Sequence, residues 1–173
     1  MAHYADPEHS LIAAEIDGVP RLVPPRGGNG LYRRLLREGV AIAAYTPSTA
    51  ELKARVDALL ARRLACGFDH DFAGSRGVQR IGTTPKDRDG WDEVKSIADA
   101  AVQLGQPEFG ITVRTDSGQV DIRADEWAAV QLSGAAAFRP CWQASWAVKD
   151  AIDAGTVTTL AQVDAHPAWP AVG

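Results

Sequence analysis

The sequence contains few cysteines, and their positions exclude the commonest structural uses of this residue. Only Cys66 and Cys141 occur in 173 residues, far apart and without the spacing of a metal-binding motif. We therefore expect two reduced, buried side chains that behave as small apolar groups. A disulfide between them is the less favoured alternative.

The sequence also lacks an excess of positive charge and any long apolar run. The 18 Lys and Arg residues against 22 Asp and Glu give a net charge of −4, whereas nucleic-acid binding draws on clusters of basic residues. No stretch approaches the ~20 apolar residues of a membrane-spanning helix, and "MAHYADPEHS" lacks the order of a secretion signal. These absences predict no nucleic-acid partner, no membrane insertion and synthesis in a cytoplasm.

Apolar residues make up 46% of the chain, which is enough for an ordinary globular core. Residues 1–47 are predicted to form a small β-β-α-β module. The dipeptide Asp17-Gly18 is typical of a tight hairpin turn, and Pro20 restricts the second strand to a sheet edge. Leucines recur at helical spacing in "NGLYRRLLREG", Gly39 stops that helix, and "VAIAAY" follows as a strand.

Residues 48–66 are predicted to form a helix that links this module to the rest of the chain. Ser48, followed three residues later by Glu51, forms a capping box. Apolar side chains then make one stripe along the helix: Leu52, Val56, Leu59, Leu60 and Leu64. The stripe can pack on its own domain or, as an alternative left open, on the same helix of a second copy.

Residues 67–173 are predicted to form an α+β domain that begins with "GFDHDFAGSRGVQRIG". Side chains alternate along a strand, so His70 points away from Asp69 and Asp71. The other histidines lie near the chain ends without ligand spacing, and "AGSRG" lacks the Lys and the following helix of a phosphate loop. The segment is therefore expected to be a β-hairpin that holds neither a metal nor a cofactor.

Two helices and a second hairpin complete the predicted α+β fold, before a short capping helix and Trp169. A helix over "TTPKDRDGWDEVKSIADAAVQLG" is followed by the hairpin "ITVRTDSGQVDIR", whose turn is expected at Asp116-Ser117-Gly118. Up to ~30 helical residues come next, roughly 45 Å if straight. Pro140 is expected to bend this long helix or to divide it.

Several charged residues could carry chemistry, but structural interpretations are favoured for them. One group of acidic residues suits the first turns of a helix, and one group of arginines suits an exposed helix face. The acidic group is Asp87, Asp89, Asp92 and Glu93, and the arginines are Arg33, Arg34 and Arg37. No local motif suggests a Ser-His-Asp or Cys-His arrangement, so we expect no enzyme and no catalytic residues.

The aromatic residues of the C-terminal part are the candidate functional residues. Their spacing favours a role in the core or in subunit contact over a platform that stacks on sugars or bases. The predicted assembly interface consists of Trp127, Phe138, Trp142, Trp146 and Trp169.

The order of the segments resembles a domain of tailed bacteriophages. The similar domain has no assigned function and is found among tail-fibre and baseplate genes. The segments that carry the similarity are, in order, "RRLACGF", a hairpin, "DRDGWDEVKSIADAA", a strand pair, "ADEWAAVQLSGAAAF" and "ASWAVKDAIDAG" with "TVTTLAQVDAHPAWP". The resemblance covers about residues 54–169, and "NGLYRRLLREGVAIAAYTP" resembles the leader module of such proteins. The chain departs from the family pattern at Gly90 or Trp91, where Asn is usual, and at Pro140, where the helix is usually uninterrupted.

The resemblance implies a structural component of a phage tail, at the baseplate or the attachment of a tail fibre. The expected partners are other tail proteins and copies of the same chain, and the expected location is the tail of the virion. One alternative is a tail-fibre assembly chaperone that is absent from the virion. A weaker alternative is a carbohydrate-binding receptor module, and the family offers no catalytic residues to carry over.

Overall fold

A computed structural model describes residues 1–171 and confirms the α+β class. The N-terminal part contains one strand more than predicted. Its elements are β1 Ala2–Tyr4, β2 Ile12–Ile16, β3 Val19–Val23, α1 Gly30–Arg37 and β4 Ile42–Ala43. The strands form one sheet in the order β3-β2-β1-β4, with β1 antiparallel to β2 and parallel to β4. Strand β1 has three residues, too few to show an alternating pattern in the sequence.

The β2–β3 hairpin turns where the sequence predicts it. Asp17 and Gly18 have φ angles of 55° and 77°, the left-handed values that a two-residue hairpin turn requires. Strand β3 lies at the edge of the sheet, and Pro20 is opposite Glu15. Because hydrogen-bonded and non-bonded pairs alternate from the turn, Pro20 occupies a position that donates nothing to β2. Its ring therefore protects the outer edge of the sheet against pairing with another chain.

The N-terminal sheet has an apolar cluster of its own, separate from the two clusters in the rest of the chain. Leu35 is the buried side chain that α1 contributes, and it packs with Ile12 and Val23 of the sheet. One contact to the next helix is a hydrogen bond from the Tyr45 hydroxyl to the Glu51 carboxylate, at 2.7 Å. Residues 1–43 therefore form a small unit with its own core.

The remaining chain consists of four helices and two β-hairpins. The elements are α2 Thr49–Leu64, β5 Phe68–Asp71, β6 Val78–Ile81, α3 Pro85–Gln103, β7 Gly110–Thr115, β8 Gly118–Arg123, α4 Trp127–Asp153 and α5 Leu160–Asp164. Single 3-10 turns lie at Gly74–Arg76 and Ala124–Glu126. Within residues 1–171, no helix is both long enough and apolar enough to span a membrane.

Helix α2 begins at the predicted cap and belongs to the core. The Glu51 N–H donates to Ser48 Oγ at 3.2 Å, and the Glu51 carboxylate accepts from the Ser48 N–H at 2.7 Å. The predicted stripe packs against α4 and α5, and its members Val56 and Leu60 are buried there. The alternative that this stripe meets a second copy is therefore wrong, because its own chain already covers it. Helix α2 is a structural part of the C-terminal unit as well as a link to it.

The two hairpins and α3 enclose the first C-terminal cluster. The inward residues of the second hairpin are buried as predicted: Ile111, Val113, Val120 and Ile122. The turn is one residue shorter than predicted, because Gly118 pairs with Thr115 in the ladder. The hairpins join where the Asp116 N–H donates to the Arg80 carbonyl at 2.9 Å.

Helix α4 runs without a break past Pro140, so of the two expectations for this proline, a bend or a division, the division is wrong. Pro140 removes one backbone hydrogen bond of a helix that has 27 residues. The inner face of α4 compensates by packing on both clusters: Trp127 and Val130 lie in the first, Val148 and Ile152 in the second. Both halves of α4 thus pack on clusters of the same chain. This packing offsets the backbone hydrogen bond lost at Pro140, and the helix remains continuous.

Candidate interaction surface on the long helix

Two of the five predicted interface residues are core residues. Trp127 is 5% exposed and stacks on Trp91, with 5.4 Å between ring centroids. Its indole N–H finds no acceptor among residues 1–171. Trp169 is 8% exposed, and its indole N–H donates to the Val163 carbonyl at 2.9 Å, while the Arg63 guanidinium lies over the ring. The assignment of Trp127 and Trp169 to an interface is therefore wrong, since neither side chain is free for a partner.

Phe138 occupies the boundary between the two C-terminal clusters. It is half-buried and packs against both, with its ring edge-on to Phe68 at a centroid distance of 5.8 Å. Gly134 lies one helical turn before it, and a Cβ there would meet the Phe68 ring at 3.0 Å. Phe138 thus joins the two cores and is partly exposed.

The remaining two predicted residues are exposed on the same side of α4. Trp142 is 43% exposed and Trp146 is 60% exposed. They are four residues apart, so their side chains lie on neighbouring turns. Buried positions such as Cys141 and Val148 lie about 100° or more around the helix from both tryptophans, as the rotation of about 100° per residue requires. Helix α4 therefore presents aromatic side chains to solvent along a face that the rest of residues 1–171 covers only in part.

Few charges interrupt this exposed face. Between Trp127 and Val148, Arg139 is the single charged residue in the sequence. Leu132, about two helical turns before Arg139, is also largely exposed. Lys149 and Asp153, near the end of the helix, form ion pairs with Asp57 and Lys53 of α2 at 2.6 and 2.7 Å. An apolar face bordered by few charges is typical of a surface that binds another macromolecule.

The segment around His70 is a hairpin, as predicted. Phe68 and Phe72 are buried on one face of β5, and Asp69 and Asp71 are exposed on the other. No group of three His, Cys, Asp or Glu side chains within residues 1–171 could hold a metal ion. His70 itself forms a contact that the sequence did not suggest, because its partner is distant in the chain.

His70 Nδ1 lies 2.8 Å from Ser133 Oγ of α4. A serine hydrogen-bonded to a histidine is the nucleophile–base pair of many hydrolytic active sites. Such an active site also contains a third group that orients the imidazole ring. The two nearby carboxylates have other partners and do not orient the imidazole of His70. Asp71 accepts a hydrogen bond from the Ala73 N–H, and Glu126 forms an ion pair with Arg76. Burial lowers the pKa of His70, which favours the neutral ring. We interpret this contact as a neutral tether between β5 and α4.

The two cysteines border the same groove. Cys141 is buried, and its burial raises the pKa of its thiol. Cys66 is exposed, which corrects the expectation that both would be buried, and both thiols are free. The groove has a volume of about 330 Å³, and Arg63 and Arg80 line it as well. Both guanidinium groups already donate to backbone carbonyls, of Pro170 and of Cys66 respectively.

The other charged candidates have structural partners or lie free on the surface. The Asp87 carboxylate accepts from the Thr84 N–H at 2.9 Å and so caps α3. Arg34 bonds both oxygens of Asp17 at 2.8 Å and also pairs with Glu38, which raises the pKa of the guanidinium. Exposed positions without such bonds are Arg33, Arg37, Asp89, Asp92 and Glu93. The structure does not bring these residues together into one site.

The sequence pattern places the exposed Trp142 and Trp146 in the same predicted interface as buried tryptophans. The reason is that the pattern does not show which side of an amphipathic helix faces the core. A helical projection of α4 separates only part of the set, because Trp142 lies about 60° from Trp127 on the helix and Trp169 lies outside it. Trp127, Val130, Cys141 and Val148 fall on one side, and Trp142 and Trp146 lie about 100–140° away from Cys141. Helix α4 thus has one apolar face in the core and a second face on which Trp142 and Trp146 are exposed.

A protein-family model described as "Domain of unknown function (DUF4376)" matches residues 47–167, which is more than half of the chain. The match covers helices α2 to α5 and both hairpins. No curated protein and no solved structure matches the chain. The description of the family names no activity, so the resemblance to phage tail domains stays a prediction.

Proposed function

The chain belongs to the DUF4376 family, and we propose that it is a non-enzymatic structural component of a phage tail. In this proposal it sits at the baseplate or at the attachment of a tail fibre, and the outer face of α4 binds a neighbouring protein. The phage setting rests on the segment order described above. The binding surface rests on one observation, the exposure of Trp142 and Trp146 on a helix face with few charges.

The size of the exposed aromatic surface supports a binding role. Together, the exposed parts of Trp142 and Trp146, 43% and 60%, equal about one whole tryptophan side chain. Covering that area contributes roughly 5 kcal/mol before the cost of association is subtracted. Tryptophan, with tyrosine and arginine, is enriched among the central interface residues that supply most of the binding affinity. Two of them are enough to form such a centre.

The test is to remove the exposed aromatic surface and to measure incorporation into particles. The double variant Trp142→Ala/Trp146→Ala should still fold, losing only the stability that the covered parts of the two rings contribute, since Trp142 is 43% and Trp146 60% exposed, but it should be absent from tailed particles purified from the source strain. The matched control is Leu104→Ala/Phe109→Ala, which removes exposed apolar side chains that do not belong to α4. This control should be incorporated like the natural chain.

Mass spectrometry of the purified particles decides among the alternatives. The natural chain should be present in stoichiometric amount, whereas an assembly chaperone would be found in the lysate and be absent from the particle. Specific binding to a glycan array that is lost in the Trp142→Ala/Trp146→Ala variant would favour a receptor module instead. Normal incorporation of that variant would refute the role given to the α4 face.

A further inference from the structure

The charged residues of α4 divide into two kinds. Lys149 and Asp153 are bound to α2 by ion pairs within the chain. Arg139 and Asp150 are exposed and form no ion pair with any of residues 1–171. Helix α4 thus carries one free positive charge and one free negative charge on its outer side.

The two free charges flank the two exposed tryptophans. The order along the helix is Arg139, Trp142, Trp146, Asp150, with spacings that keep all four side chains on one side. Arg139 and Asp150 are eleven residues apart, roughly 16 Å along the axis, so they cannot neutralise each other. These four side chains form a stripe along the outer face of α4, with a positive end, an aromatic centre and a negative end.

This stripe is complementary in charge to the same stripe of a second copy of the chain, provided that the two α4 helices run in opposite directions. We infer that the outer face of α4 binds the same face of a second copy, antiparallel and about a twofold axis midway between Arg139 and Asp150. Arg139 of each copy then lies opposite Asp150 of the other, which forms two identical ion pairs. This arrangement is the isologous contact of a twofold dimer.

The same symmetry brings the tryptophans together. With the axis midway between the charges, Trp146 of one copy lies within about 2 Å in axial height of Trp142 of the other. Four indole rings therefore meet at the centre and are shielded by the ion pairs at either end. A parallel arrangement would instead place Arg139 against Arg139 and Asp150 against Asp150, which is unfavourable.

This inference rests on the proposed function, because it names the partner of the surface proposed there. A single helical stripe is short for an interface, since a stable pair buries about 800 Å² per partner. We therefore expect a dimer with a Kd in the range of about 1 to 100 µM. Within an assembled particle, the neighbouring subunits would raise the local concentration well above that range.

Charge reversal tests the two proposed ion pairs, because reversing both charges together should restore the dimer that each single reversal weakens. Arg139→Asp and Asp150→Arg should each raise the dimer Kd at least about tenfold, because each change turns both ion pairs into repulsions. The double variant Arg139→Asp/Asp150→Arg should restore the dimer, and so should an equimolar mixture of the two single variants. Sedimentation velocity of the full chain between about 1 µM and about 1 mM measures the homodimers, and native mass spectrometry measures the mixture.

Matched reversals away from α4 provide the control. Arg33→Asp on α1 and Glu93→Arg on α3 alter net charge by the same amounts at exposed positions and should leave the Kd unchanged. A natural chain that stays monomeric to about 1 mM, or single reversals without effect, or no rescue in the double variant, would each overturn the inference. If the chain is monomeric but Trp142→Ala/Trp146→Ala still abolishes incorporation, the surface binds a different tail protein and the proposed function stands.

Discussion

Replacing Glu126 by glutamine should make the stability of this protein less dependent on pH. Glu126 precedes α4 and accepts both guanidinium N–H groups of Arg76, at 2.7 and 2.8 Å. It also accepts the backbone N–H of Arg123 at 2.8 Å. Arg76 in turn donates to the carbonyls of Phe72 and Asp121, so the ion pair links the first hairpin, the second hairpin and the start of α4.

The structure gives the size of the effect. The hydrogen bond from Arg76 is the largest cause that lowers the pKa of Glu126, from an ordinary 4.5 to about 2. A difference of that size corresponds to about 3 kcal/mol of stability linked to ionisation. The side chains of Arg76 and Glu126 are 31% and 25% exposed, so solvent screening reduces the expected contribution to about 2 kcal/mol.

The direction with pH follows from the lowered pKa. Glu126 binds a proton more readily in the unfolded chain than in the folded one, so its contribution is complete above pH 4.5. The contribution is lost as the pH falls from 4.5 towards 2. Urea unfolding of the natural chain and of Glu126→Gln, followed by tryptophan fluorescence, should differ by about 2 kcal/mol at pH 7 and by progressively less below pH 4.5.

The neighbouring Asp125→Asn variant is the control for this experiment. Asp125 pairs with Arg123 at 3.0 Å, but both side chains are more exposed. We expect its removal to cost less than about 0.5 kcal/mol at every pH. If the difference between the natural chain and Glu126→Gln stays constant from pH 7 to pH 3, the carboxylate does not hold the depressed pKa that the geometry gives it, and the reasoning is wrong.

Four further substitutions test other parts of the structure by chemical denaturation. Trp169→Phe removes a buried hydrogen bond to α5 and should cost about 1–2 kcal/mol without changing self-association; weaker incorporation with full stability would restore the interface role. Ser48→Ala should cost about 1 kcal/mol through loss of the helix cap, and an unaltered unfolding curve would mean that α2 begins elsewhere. Gly67→Ala should cost more than about 2 kcal/mol, because Gly67 has φ +76° and a Cβ would lie 2.5 Å from the Ile81 carbonyl oxygen. Gly90→Ala, in open space on α3, should instead stabilise the protein by up to about 1 kcal/mol.

Much of the secondary structure could be predicted from the sequence, because its causes are local. The Ser48 cap and the apolar stripe after it lie within a few turns of one helix. The hairpin at Asp17-Gly18 depends on two residues that accept left-handed angles, and both adopt them. The alternation in β7 and β8 likewise identifies its inward residues correctly. In each case the residues that decide the element are neighbours in the chain.

The candidate surface could be predicted only in part, because burial depends on distant segments. Trp127 is covered by Trp91 of α3, and Trp169 bonds to α5 and lies under Arg63 of α2. Neither contact is visible in the spacing of residues along α4. The pairing of Lys149 and Asp153 with α2, which leaves Arg139 and Asp150 free, is decided in the same way.

The sequence by itself determined the α+β class, the cap of α2 at Ser48 and the hairpin turn at Asp17-Gly18, since each follows from backbone preferences within a short window. The tertiary structure decided which face of α4 is covered, that Pro140 is tolerated within one continuous helix, and which charges find partners. The physical reason is that these outcomes depend on surfaces that α2, α3 and α5 bring together across many residues of chain. The exposed pair of Trp142 and Trp146 becomes distinct only once those surfaces are in place.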